Sequence, residues 1–255
     1  MPIKLDHVGL NTLIQEPVTD SQNTIGFPES HRPSKFLRMP ATSNSIKGIT
    51  GTVQSTYPAS GYISFSFWTK FDSDSSSSAR YIVTTTNSSN QDGIFIFFTN
   101  ANDIRVLLYN TSADYQAYDS NPISNLSNWN HWVVTINISN LATVAEVYQN
   151  GVALSALSDV GGSGTGTVTP INKIQLMGND SDSSTVELQG SLQHLAVFTG
   201  QLNQEEVTIA YNSKDLSESS LSSKIIDYWR LGEEKEFADF SIGTAVTNGL
   251  SFAAT

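Results

Sequence analysis

The 255-residue chain contains no cysteine. That excludes a disulfide framework, a thiol nucleophile and a cysteine-ligated zinc site. Charge is also scarce. Asp, Glu, Lys and Arg make up 15% of residues, with 13 basic against 24 acidic, and the net charge is -11. A polyanion such as DNA is repelled by such a chain, so no nucleic-acid partner is expected. No stretch reaches the ~18 apolar residues of a spanning helix, so no membrane partner is expected either. Residues 1–10 lack the apolar core of a signal peptide. Together with the missing cysteines, this suits synthesis in a reducing cytoplasm.

What is present is apolar and uncharged polar. Hydrophobic residues reach 38% and aromatics 10%, enough for a sizeable core and against disorder throughout. Polarity comes from Ser, Thr, Asn and Gln, which suit sheet faces and turns. In GYISFSFWTKF, Ile63, Phe65, Phe67 and Phe71 alternate with Ser64, Ser66 and Lys70. Period two predicts a half-buried strand. The same alternation recurs at Ile104, Val106 and Leu108, and at Trp132, Val134, Ile136 and Ile138. Strands are also expected over 81–86, 94–99, 144–149, 174–177, 186–198 and 225–231. Asn150-Gly151 predicts a tight hairpin turn, and the Gly-, Ser- and Thr-rich 160–169 a long loop. One helix is expected after Asn203, with Glu206 completing a capping box. So many strands with one short helix predict an all-β, two-sheet sandwich.

Residues 1–34 differ. Pro2, Pro17, Pro28 and Pro33 punctuate them, and apolar residues are scattered without a period. They read as an extended arm ahead of a single domain at 35–255. An apolar arm gains stability by lying on a neighbouring surface, so Leu5, Val8, Leu10, Leu13 and Ile14 are expected to contact another chain. The competing expectation is that the arm folds back on its own sandwich.

The order of motifs resembles the laminin-G-like, concanavalin-A-like superfamily. FSFWTKF at 65–71, WNHWVVTI at 129–136, VYQNG at 147–151, LQGSLQHLAVFTGQLNQEEV at 188–207 and DYWRLGE at 227–233 carry the likeness. It implies a two-sheet antiparallel jelly roll in which lectins, adhesion modules, hydrolase accessory domains and viral structural proteins all occur. After Gly190 the family usually has an acidic pair. Here Gln193 and His194 stand instead, so any acidic role there is lost. LDHVGLNTLI at 5–14 resembles the starts of tailed-phage virion proteins, cyanophage ones especially.

Candidate chemistry is sparse. Glycosidases of this fold need two carboxylates at a set separation. The strand around 186–192 offers Glu187 alone, and Glu233, Glu234, Glu236 and Asp239 follow the last strong strand. His7, His31, His131 and His194 lie near no nucleophile-elbow motif, and His131 reads as structural. Two oxygen-rich stretches are candidate calcium sites: Asp180 with Asp182, at the rim where the resembled family often binds metal, and Asp72 with Asp74. An ordinary polar turn is the competing reading of each. Tyr109, Tyr115 and Tyr118 cluster in a polar stretch and are candidate glycan-stacking residues, or else plain sheet residues.

The expected function is that of a non-enzymatic virion structural protein, a capsid decoration or fibre component. It would display the sandwich, adhere to glycans, and associate with other virion proteins or its own copies. No cofactor is expected unless calcium binds. The alternative is a carbohydrate-binding or adhesion module outside a virion, with a glycoside hydrolase third.

Overall fold

The computed structural model describes residues 37–39, 46–52, 57–74, 79–86, 93–110, 114–168, 173–176, 190–231 and 251–254. Among them the strands are, in chain order, β1 (Leu37–Met39), β2 (Ile46–Thr52), β3 (Tyr62–Phe71), β4 (Arg80–Thr86), β5 (Gly93–Phe98), β6 (Ile104–Tyr109), β7 (Tyr115–Asp119), β8 (Asn130–Asn137), β9 (Glu146–Gln149), β10 (Val152–Ala153), β11 (Ser158–Gly162), β12 (Lys173–Leu176), β13 (Gly190–Thr199), β14 (Ile225–Trp229) and β15 (Ser251–Ala254). They form two sheets. One runs β1-β13-β3-β8-β9-β10, with β14 also pairing β13. The other runs β11-β7-β6-β5-β4-β12-β2-β15. Every pairing is antiparallel. This is the all-β sandwich expected from the alternating segments.

The main core lies between the sheets. Phe65, Phe67, Trp132 and Val134 come from the seven-stranded sheet, and Ile96, Phe98, Val106 and Leu108 from the other. Trp132 is fully buried. Its ring meets Phe98 edge-on at 5.2 Å between centroids, and its indole N–H donates to Thr69 Oγ1 at 2.9 Å. The one polar atom of the largest core side chain is thereby satisfied.

Ser64 and Ser66 depart from expectation. Alternation marks them as the solvent side of β3, yet both are fully buried. A second apolar layer covers that face. Helix α1 (Gln204–Asn212) and the chain on either side of it pack Leu202, Val207, Ala210 and Leu216 against Val133, Ala196 and Phe198. The serines are satisfied beneath it: Ser64 Oγ bonds Thr135 Oγ1 at 2.9 Å and donates to Gly200 O at 2.8 Å. α1 starts with the expected capping box, in which Asn203 Oδ1 accepts from Glu206 N–H and Glu206 Oε2 accepts from Asn203 N–H, each at 3.0 Å. Lys224 pairs with the same Glu206 and ties the following chain to the helix start.

Turn chemistry follows the sequence in one place and departs in another. Asn150 and Gly151 take φ of 50° and 82°, the left-handed pair that a tight hairpin demands. By contrast 158–162, partly read as loop, forms the edge strand β11 on β7. Gly162 has φ 100°, and a Cβ there would stand 2.0 Å from the Tyr115 carbonyl oxygen. Only glycine permits the approach, so a loop-like composition serves a strand. β15 pairs with β2 at the edge of the eight-stranded sheet. Residues 1–34, and with them Leu5, Val8, Leu10, Leu13 and Ile14, lie outside the described residues.

Truncating the interlock should be costly. Trp132→Ala or Phe65→Ala is expected to lose about 3–5 kcal/mol in denaturant melts; a variant melting like the parent would contradict this core. A second prediction concerns alkali. Burial, reinforced by the charge of Asp227, holds the Tyr57 hydroxyl well above its ordinary 10.0. A folded-state pKa above the unfolded one gives stability that is complete below about pH 10 and lost as pH rises beyond it. Tyr57→Phe should therefore flatten the alkaline limb of a melting-temperature profile. A limb of unchanged slope would assign the loss to other groups.

Candidate functional site

The three candidate tyrosines separate by strand parity. β6 and β7 pair with Tyr109 opposite Tyr115, Leu107 opposite Ala117 and Arg105 opposite Asp119. These six residues share the outer face of the eight-stranded sheet. Tyr118 is three residues from Tyr115, so it points the other way. It is 1% exposed in the main core, and its hydroxyl donates to Leu141 O at 2.7 Å. Tyr118 is therefore a core residue, and the expectation that it stacks on a glycan is corrected. Counting parity along β7 would have found this.

Tyr109 and Tyr115 remain together. Their ring centroids are 5.8 Å apart at 40°, and Tyr115 is 42% exposed. Phe95 supports Tyr109 from behind, edge-on at 5.5 Å. β11 flanks the pair with glycine. The position of a Gly161 Cβ lies 3.6 Å from the Tyr115 hydroxyl, an ordinary van der Waals contact that places β11 against the ring. Burial first, and then neighbouring Tyr115, push the Tyr109 hydroxyl above its ordinary value. The Tyr109 phenol is therefore a neutral donor near pH 7. Along the same face Arg105 grips Asp119 with two bonds, Nε to Oδ1 at 2.6 Å and Nη2 to Oδ2 at 2.5 Å. The hydrogen bonds that Arg105 donates to Asp119 raise its pKa and keep the guanidinium charged. The face thus offers an aromatic ledge, an apolar step and a polar end.

The histidines divide as their surroundings dictate. His131 Nε2 and Ser66 Oγ are 2.8 Å apart, a serine–histidine contact that the sequence did not announce. Both are essentially sealed, at 1% and 0% exposure, below Trp68 and Tyr211. No substrate reaches the hydroxyl, so the contact is structural, as expected of His131. His194 sits in a bulge of β13 with φ 50°, and its Nδ1 lies 2.5 Å from the Tyr228 hydroxyl.

Asp74 is committed to the fold. Its Oδ1 accepts from Ser127 N–H at 2.5 Å, and its carbonyl accepts from Asn102 at 2.5 Å. Beside it Arg80 stacks on Phe71 at 4.1 Å, and burial lowers its pKa to about 10 against the opposing pull of Asp74. A guanidinium already occupies the field that Asp74 would offer a cation. This favours the polar-turn reading of Asp72 and Asp74. Among the described residues no three His, Asp or Glu side chains converge as metal ligands. Asp180, Asp182, Glu187, Glu233, Glu234, Glu236, Asp239, His7 and His31 lie outside the described residues.

Comparison with known proteins bears on the fold. A family model described as the concanavalin A-like lectin/glucanases superfamily matches residues 47–208. Among solved structures, the chain is similar to a native heptameric SAP-like pentraxin from Limulus polyphemus. Identity is 14% and the TM-score 0.52, over 86% of this chain and 94% of that one. It is also similar to the receptor binding domain of botulinum neurotoxin mosaic serotype C/D, at 17% identity and a TM-score of 0.47, over 64% of this chain and 41% of that one. The serotype D binding domain gives 16% and 0.46, over 64% and 42%. The chain thus spans less than half the length of these neurotoxin domains. The search of curated proteins found no match.

Proposed function

We infer a function from one premise, that this chain belongs to the concanavalin A-like lectin/glucanase superfamily, and propose a non-enzymatic glycan-adhesion module. The observation that carries the reading is the Tyr109–Tyr115 ledge, half open on the outer face of the eight-stranded sheet. Aromatic faces take the apolar side of a pyranose ring, while hydroxyls and the Arg105–Asp119 pair supply directional bonds to its rim. The ledge holds no carboxylate pair across an open cleft, which hydrolysis of a glycosidic bond demands. Asp119 is taken up by Arg105, so binding without turnover is the chemistry the residues support.

The setting we propose is a virion, in which the module is a capsid decoration or fibre component displaying the sandwich outward. LDHVGLNTLI at 5–14, with its resemblance to tailed-phage virion proteins, motivates this. The apolar Leu5, Val8, Leu10, Leu13 and Ile14 would dock on other virion proteins or on further copies of the chain. An adhesion module outside a virion uses the same ledge. Finding the chain in purified particles separates the two; its absence from particles favours the free module.

Tyr115→Ala keeps the strand and removes the exposed ring. On a glycan array the parent should bind, and the variant should lose about tenfold or more in affinity, given a truncation cost of ~1.5 kcal/mol. Equal binding by both would move the site elsewhere, and no binding by the parent would remove the glycan reading.

A further inference from the structure

At the far end of β7 from Tyr115, a cleft of about 530 Å³ opens between the chain that follows the strand and the β9–β10 hairpin. Its walls carry six carboxamides, those of Asn121, Asn125, Asn128, Asn130, Gln149 and Asn150, and no titratable side chain. Ile123, Trp129 and Leu154 supply the apolar part of the lining. Such a composition differs from an ordinary polar turn, where amides face water singly.

The cleft is built around Asn130, which is 4% exposed. Its Oδ1 accepts from Gln149 Nε2 at 2.9 Å and Asn150 Nδ2 at 3.0 Å. Its Nδ2 donates to the carbonyls of Asn125 and Asn128, each at 3.0 Å. One buried amide thus clamps the loop to the hairpin and spends all its capacity doing so. Asn150 is fixed again where its Oδ1 accepts from His131 N–H at 2.8 Å. What the clamp leaves over is available to a ligand. The Gln149, Asn121 and Asn125 side-chain oxygens and the whole carboxamide of Asn128 take no partner among the described residues.

We propose that this cleft is a second binding site, independent of the tyrosine ledge, for a neutral sugar bearing an acetamido group. Neutrality follows from the lining, because a charged ligand would be desolvated here without a counter-charge. An acetamido group presents one N–H donor and one carbonyl acceptor side by side, the complement of a primary amide. Its methyl and the apolar face of the ring fit the Ile123, Trp129 and Leu154 surface. The volume falls in the range of roughly 300–1,000 Å³ in which small-molecule sites lie. Fixed amides lose little freedom on binding, which favours affinity.

The test uses the full chain, isotope-labelled, titrated separately with N,N′-diacetylchitobiose and with cellobiose while backbone amide resonances are followed. Diacetylchitobiose should shift residues 121–130 and 149–155. Asn128→Ala should weaken it about tenfold with an unchanged melting temperature. Ser124→Trp, at the exposed lip of the cleft, should block it. Absence of any shift at ~10 mM sugar, a concentration that would largely fill a site of millimolar Kd, would overturn the site. Equal response to cellobiose would overturn the acetamido assignment. Shifts confined to 105–119 would remove this cleft while leaving the tyrosine ledge standing.

Discussion

The pairing of β3 with β8 constrains the rest of the molecule, because both strands are buried on both faces. Phe67 opposite Trp132 and Phe65 opposite Val134 fill the space between the sheets. On the reverse, Ser66 reaches His131, and Ser64 reaches Thr135, under the layer that α1 and its following chain provide. A strand with no solvent face cannot slip by one residue without exchanging Phe65 and Phe67 for the serines of the other face. Register here fixes β13 on one side and β9 on the other. It thereby fixes the hairpin whose Asn150 meets His131 N–H.

The margin of the opposite sheet is less buried, and the proposed tyrosine ledge lies there. Its strand β6 alternates buried and half-buried residues along its length. One side belongs to the core, and the other, with Arg105, Leu107 and Tyr109, is available. The edge strand β11 is glycine-rich and lies close on β7, so Tyr115 keeps its exposure at the sheet margin. A rigid sheet holding an aromatic pair is a suitable support for binding, since little freedom is lost when a ligand arrives.

Local pattern made much of this legible. The alternation in 61–71, 104–108 and 132–138, the Asn203–Glu206 box and Asn150-Gly151 each carry their structure in a few residues, and each formed the strand, cap or turn expected of it. What the pattern hid depends on contacts far along the chain. Ser66 looked like a solvent residue because the helix that covers it begins over a hundred residues later. Tyr118 looked like a partner of Tyr115 because nearness in sequence was weighed above strand parity. β11 looked like a loop because its glycines answer to the carbonyl of Tyr115 rather than to any local preference. The amide cleft was foreshadowed only by the density of asparagine in NPISNLSNWN at 121–130. That density marks a polar turn unless a buried member such as Asn130 organises the rest.

The proposed function requires the outer face of β6 and β7 to be a binding surface carried by an inert sandwich. Backbone hydrogen exchange, measured with and without the tightest array-selected glycan, tests this most directly. Protection should rise in 105–119 and in β11, while β3 and β8 exchange at an unchanged, very slow rate. Unaltered exchange across 105–119 under saturating glycan would contradict the claim, as would release of a shortened glycan into the solution.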